Sequence, residues 1–244
     1  MDLGLQGWRV LVTGATNGLG HAITRGFVDE DAMVMACGRN PEHSVPKGVQ
    51  ASMCTDLTQT GAAEALVSAT VDQLGGLDTV IAAAGAAVSG TVDNSSDETW
   101  QHGMELNFFS IMRLVRSAIP HLRERGGRVV ILSALSASEP RPNHVVSNVS
   151  KAGVMALAKT LSRELADDAI LVNCIAPGRI RSAQLDRAFP DETTRAAFSE
   201  ANIPLRRFGT SEEVVPVTLL LGSPRNSYIT GQTVGVDGGM AWAL

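Results

Sequence analysis

Residues 9–20 read Arg9-Val10-Leu11-Val12-Thr13-Gly14-Ala15-Thr16-Asn17-Gly18-Leu19-Gly20, and this stretch decides the fold. A short aliphatic run is followed at once by Gly14, Gly18 and Gly20, and then by a helical pattern over Leu19–Asp29. Glycines permit a tight turn with close backbone approach, and the helix start offers free N–H groups at the positive end of its dipole. Together they predict a cradle for a pyrophosphate. The plainer explanation is a glycine turn kept only for helix–strand packing. Strand, helix and second strand stand in register here, which favours the cradle.

Outward from this stretch, short apolar runs alternate with helical patterns. Strands are expected at Arg9–Thr13, Met33–Cys37, Gln50–Cys54, Thr79–Ala83, Arg128–Leu132, Leu171–Ile175 and Thr233–Val236. Their Val/Ile/Leu content suits strands covered on both faces. Helices are expected near Leu19–Asp29, Gly61–Leu74, Asp97–Ala118, Asn148–Ala166 and Ser211–Leu221, the last opened by the capping sequence Thr210-Ser211-Glu212-Glu213. Right-handed crossovers then give an α/β fold, a single doubly wound parallel sheet of about seven strands with helices on both faces. No repeat or low-complexity linker divides residues 1–244, so one domain is expected. Arg179–Arg207, with Pro190 and Pro204, is the least regular stretch.

Bulk properties narrow the function classes. A net charge of −5 argues against a general nucleic-acid surface. No apolar run is long enough to span a bilayer, and the N-terminus carries Asp2 and no basic region. Cys37, Cys54 and Cys174 are odd in number and widely spaced, reading as buried free thiols in a reducing, cytoplasmic setting. No metal site is expected.

The glycine stretch, Asn107, Lys151, Pro177-Gly178, Tyr228-Ile229-Thr230-Gly231-Gln232 and Asp237-Gly238-Gly239 together resemble the short-chain dehydrogenase/reductase family. The likeness spans nearly the whole chain and is similar to 3-oxoacyl-carrier-protein-reductase-like members. It implies a Rossmann-like fold and a dinucleotide held by Gly14, Thr16, Asn17, Gly18, Leu19 and Gly20. Asp56, with Leu57, matches the residue at the adenine amino group. Ala82-Ala83-Ala84-Gly85 aligns with the family's Asn-Asn-Ala-Gly, so Ala84 and Gly85 fall on the pocket wall and the bracing asparagines are replaced. Pro177, Gly178, Ile180 and Ser182 align with the nicotinamide carboxamide segment, and Lys151 with the ribose-binding lysine. The resemblance also implies a homodimer or homotetramer paired through Asp97–Ala118 and Asn148–Ala166, and makes Arg179–Arg207 a flap over the substrate.

The second strand ends on Gly38 and Arg39 where an NAD site usually places an acid for the ribose 2′-hydroxyl. Arg39 would attract a 2′-phosphate, so NADP(H) is favoured over NAD(H), although the family's other common basic position is Asn17 here. A solvated surface arginine is the plainer reading of Arg39.

The catalytic residues depart from the resemblance. Asn107 and Lys151 are retained, but counting back from Lys151 places Ser147 where tyrosine is expected and Ala134 where serine is expected. Positions 147 and 151 are one helical turn apart, which couples a family tyrosine to its lysine. Serine is a weaker acid and shorter by about 4 Å. Losing a positioned general acid costs roughly 10²–10⁴ in rate, and Ala134 removes a hydrogen bond that polarises the carbonyl. Tyr228, the one tyrosine, belongs to the C-terminal motif. Substitutes are a water held by Ser147, Lys151 and Asn107, the hydroxyls of Ser133 or Ser136, and His144 as an acid near neutral pH. Three readings stand. The chain is an NADP(H)-dependent oxidoreductase on a small-molecule carbonyl or secondary alcohol with weak or atypical activity. It is instead a non-catalytic NADP(H)-binding pseudoenzyme or regulatory subunit, or a lyase or isomerase working through Lys151.

Overall fold

A computed structural model of the chain describes residues 2–39 and 45–242; Met1, residues 40–44 and residues 243–244 lie outside the described residues. Its centre is a seven-stranded parallel sheet in the order β3-β2-β1-β4-β5-β6-β7. The strands are β1 (Arg9–Thr13), β2 (Met33–Gly38), β3 (Ala51–Cys54), β4 (Thr79–Ala82), β5 (Arg128–Leu132), β6 (Leu171–Pro177) and β7 (Thr233–Val236). Alternation along each strand feeds two cores. In β1, Leu11 packs on the side of α2 (Ala62–Leu74), α4 (Ser110–Leu122) and α5 (Val145–Glu164), while Val10 and Val12 face α1 (Gly18–Asp29) and α8 (Ser211–Gly222). Among the described residues no helix is long and apolar enough to cross a membrane.

The sequence expectations for strands hold to within two residues. The helices need correction. The stretch expected as one helix over Asp97–Ala118 is three segments: α3 (Asp97–Met104), a π turn (Glu105–Phe109) and α4. Side-chain periodicity is nearly blind to one extra residue per turn, so the π turn leaves no mark in the sequence pattern. α5 starts at Val145, ahead of the expected Asn148, and so includes Ser147. The irregular stretch contains α6 (Ala183–Ala188) and α7 (Glu192–Asn202). Phe189, Phe198 and Phe208 meet edge to face at 5.0–5.9 Å and hold these short helices together. The expected cap of α8 is present, with the Glu213 carboxylate accepting the Thr210 N–H at 2.9 Å. Cys37 and Cys174 are buried, but Cys54 is exposed, because β3 is an edge strand with one face toward solvent.

The amino ends of the central strands are fastened by one ion pair. Asp78, 1% exposed, accepts Arg9 Nε at 2.7 Å, Nη2 at 2.6 Å and the backbone N–H at 2.9 Å. Its own backbone joins Arg9 and Arg128, so β1, β4 and β5 start from one point. Burial alone would raise the Asp78 carboxyl, yet the Arg9 hydrogen bonds and charge hold it below the usual range. Asp78→Ala strands the guanidinium and is expected to lower the unfolding free energy by about 3–5 kcal/mol in urea titrations. Because the folded-state pKa is depressed, this contribution is full at neutral pH. The gap between wild type and variant should shrink as pH falls below about 4.

Candidate functional site

Strand order reverses between β1 and β4, the switch point beyond whose carboxyl strand ends open α/β sheets bind their ligands. Gly14 turns the chain there with φ +67°, and a Cβ on it would lie 3.0 Å from the backbone of Ala83 and Ala84. The Thr13 hydroxyl accepts the N–H groups of both alanines at 3.2 Å. Bracing expected from asparagines at 82 and 83 is therefore supplied from β1. A Cβ on Gly20 would sit 2.2 Å from the Gly14 carbonyl oxygen, so α1 starts directly on the turn. Gly18 has φ +54° and open space beside it, and neither the Asn17 side chain nor any first-turn acid occupies the helix start. The cradle read from the sequence fits an anionic pyrophosphate.

At the end of β2, a Cβ on Gly38 would meet Thr16 Cγ2 at 2.4 Å. A carboxylate at 38 is thus incompatible with Thr16 where it stands, while Arg39 is exposed beside it. Leu57 is buried. Asp56 accepts the Thr58 N–H and hydroxyl, at 3.0 and 2.8 Å. Those bonds, with help from the Arg39 charge, lower its pKa.

The segment leaving β4 is held by two of the catalytic-position residues, Asn107 and Ser147. Its backbone runs without a neighbouring strand, and alternate residues are held on both polar groups. Asn107, in the π turn, accepts the Ala86 N–H at 3.0 Å and donates to the Ala86 carbonyl at 2.9 Å. The Ser147 hydroxyl accepts the Val88 N–H at 2.7 Å and donates to its carbonyl at 3.2 Å. Gly90 pairs with the backbone of Asn143 and Val145. Asn107 and Ser147 thus stand in for a missing strand. With its proton given to the Val88 carbonyl, the Ser147 hydroxyl could hold a relay water only as an acceptor.

Lys151 Nζ donates to the Leu132 carbonyl at 2.8 Å and faces Gly85, where a Cβ would lie 3.2 Å from it. The side chain keeps some solvent contact, but its amine end is desolvated, which lowers its pKa to about 8. It is no ordinary surface lysine. Ser133 is also committed, its hydroxyl donating to the Lys151 carbonyl at 3.0 Å.

Beside these residues lies a cavity of about 530 Å³. Its lining includes Ala134, Ser136, His144, Pro177, Gly178, Ile180 and Ser182, but not Asn107, Ser147 or Lys151. Expected substitutes are therefore separated: Ser136 and His144 reach the cavity, and Ser133 and Ser147 do not. His144 Nδ1 lies 3.0 Å from the Pro142 carbonyl, an interaction that puts the proton on Nδ1 in the neutral ring and leaves Nε2 uncommitted. Ser182 accepts the Leu185 N–H at 3.2 Å as the cap of α6, leaving its own proton to donate. Tyr228 is 97% exposed and away from the lining. Arg141 and Arg179 also line the cavity and were not singled out in the sequence. A neighbouring cavity of about 590 Å³ on the other side of Arg179 contains none of the catalytic-position residues.

Comparison with known proteins bears on the family and the fold. A family model described as enoyl-(acyl carrier protein) reductase matches residues 14–241. The chain is 35% identical to 3beta-hydroxysteroid dehydrogenase 1 of Eggerthella lenta, over 97% of this chain and 94% of that protein. It is 31% identical to the 3-oxoacyl-[acyl-carrier-protein] reductase of Thermotoga maritima, over 97% and 98% of the two chains. Among solved structures, L-sorbose reductase from Gluconobacter frateurii, complexed with NADPH and L-sorbose, superposes with a TM-score of 0.94 at 30% identity, covering 100% of both chains.

Two measurements test the site. Ser147→Ala leaves both polar groups of Val88 without their partner, and should lower stability by about 1 kcal/mol in thermal unfolding. Lys151 has a folded-state pKa below its ordinary 10.5, so the unfolded chain holds more protons above pH 8. Stability should rise from pH 8 to about 9, a rise that Lys151→Met removes. Higher up, burial raises Cys37 and Cys174 to about 12, and ionisation of the unfolded thiols opposes the trend.

Proposed function

The chain belongs to the short-chain dehydrogenase/reductase family, and we propose that it is an NADP(H)-dependent oxidoreductase on a small-molecule carbonyl or secondary alcohol, with a displaced proton donor. One observation carries the reading. The glycine turn packs on Ala83 and Ala84, the Lys151 amine faces the next residue, Gly85, and the adjoining cavity is lined by His144 and Ser136. Gly14, Thr16, Asn17, Gly18, Leu19 and Gly20 would hold the pyrophosphate, Asp56 and Leu57 the adenine end, and Arg39 the 2′-phosphate. Ala84, Gly85 and Lys151 would line the ribose, with Pro177, Gly178, Ile180 and Ser182 at the nicotinamide. NADPH, when bound, supplies hydride to a carbonyl carbon.

The protein's own task is then the proton. Ala134 has no donor, and Ser147 holds the loop. We assign carbonyl polarisation to the Ser136 hydroxyl and proton delivery to the imidazolium form of His144, which carries a proton on Nε2 as well as the one that Nδ1 directs at Pro142. Activity is expected to be slow beside a tyrosine-bearing relative. Pairing into a homodimer or homotetramer is part of the proposal, supported by exposed Phe109 and Val149 on the π turn and α5. The free cysteines support a reducing, cytoplasmic setting.

The commitment of Ser147 to Val88 favours a second reading, a non-catalytic NADP(H)-binding regulatory subunit. Fluorescence titration should give NADPH an advantage over NADH of about tenfold, abolished by Arg39→Ala. On a broad carbonyl panel, NADPH oxidation should fall about 10²-fold or more in His144→Asn. Tight NADPH binding with no turnover on any member would replace the first reading by the second.

A further inference from the structure

The substrate cavity has an unusual charge arrangement. Arg141 and Arg179 both line it, and among the described residues neither guanidinium makes a hydrogen bond or ion pair. Arg179 stacks over Phe198 and Phe189, at 4.9 and 5.5 Å from the ring centres. Ring faces attract the cation but leave its in-plane N–H edges without acceptors, and Nε is buried with no partner. Desolvation, and then the charge of Arg141, pull the Arg179 pKa down to about 10, and desolvation lowers Arg141. Both remain cations at neutral pH. Glu139 is the one carboxylate in the described lining, and it accepts the Trp242 N–H. His144, the other titratable group there, bonds the Pro142 carbonyl.

Partly desolvated guanidinium groups that repel each other and lack acceptors are costly, and an incoming anion offsets that cost. We infer that Arg141 and Arg179 form an acidic-group subsite, so that the substrate bears a carboxylate or phosphate which both guanidinium groups grip. Planar N–H forks match either group. This rests on the reading of the cavity as the substrate site and narrows the substrate to an anionic carbonyl compound or alcohol.

The test is calorimetric, on the full chain with NADP+ present so that no reduction occurs. The carboxylate arm compares 4-oxopentanoate with its methyl ester, and the phosphate arm compares dihydroxyacetone phosphate with dihydroxyacetone. The acid of at least one pair should bind on the order of tenfold or more tighter than its neutral partner. Salt should reduce the margin, and the responding arm tells carboxylate from phosphate. Arg141→Gln should erase the preference, and Arg179→Lys, which keeps the charge but not the fork, should weaken it. Arg141 touches no aromatic ring of the flap, so its variant keeps the test valid if Arg179 changes disturb folding. No preference in either pair, including no binding by either acid, overturns the inference. So does a preference that survives Arg141→Gln in a protein with normal circular dichroism and Tm. NADPH titration in parallel reads the nucleotide proposal separately. If nucleotide fails to bind while the acid preference persists, the reductase reading falls and the subsite stands.

Discussion

The backbone of residues 83–90 leaves the sheet with no strand beside it, and its polar groups must still find partners. The partners come from distant parts of the chain. Thr13 on β1 takes the N–H groups of Ala83 and Ala84, Asn107 takes Ala86, Ser147 takes Val88, and the start of α5 takes Gly90. An amide side chain presents the same donor and acceptor as a peptide group, and a hydroxyl does so with one oxygen. The wall that runs from the glycine turn to the cavity at Ala87 and Ser89 exists because these side chains imitate a strand. The glycine turn depends on it as well, since Gly14 packs against the same backbone.

The parts of the fold readable from sequence are those whose causes are local. The run from Arg9 to Gly20 states a strand, a turn without Cβ atoms and a helix within a dozen residues. The central strands announce themselves because burial on both faces leaves them uniformly apolar. Cys54 misled because edge position is a property of the sheet, invisible in a four-residue strand. The short helices α6 and α7 escaped because they are organised by the aromatic contacts among Phe189, Phe198 and Phe208, and not by their own periodicity.

At the site, position was legible and purpose was not. The spacing from Ser147 to Lys151 places both on α5, as one helical turn requires. Nothing in that spacing says that the hydroxyl serves a backbone 59 residues away. Lys151 likewise reads as a helical lysine until the strand end at Leu132 is folded against it. Arg141 and Arg179 sit far apart in sequence among prolines and glycine, with no motif of their own. Only the fold brings both to the lining of one cavity.

The double use of the Ser147 hydroxyl has a consequence for the history open to this chain. A tyrosine placed at this position would give up the Val88 bonds, so the loop would lose a fastening in the same step that introduced an acid. Position 147 behaves as a ratchet. Substitutions that give residues 86–90 another means of support have to precede the aromatic ring, and the order in which changes arise matters as much as their identity. A hydroxyl spent on a backbone can in this way fix the order of changes by which a chain moves its proton chemistry from one side chain to another.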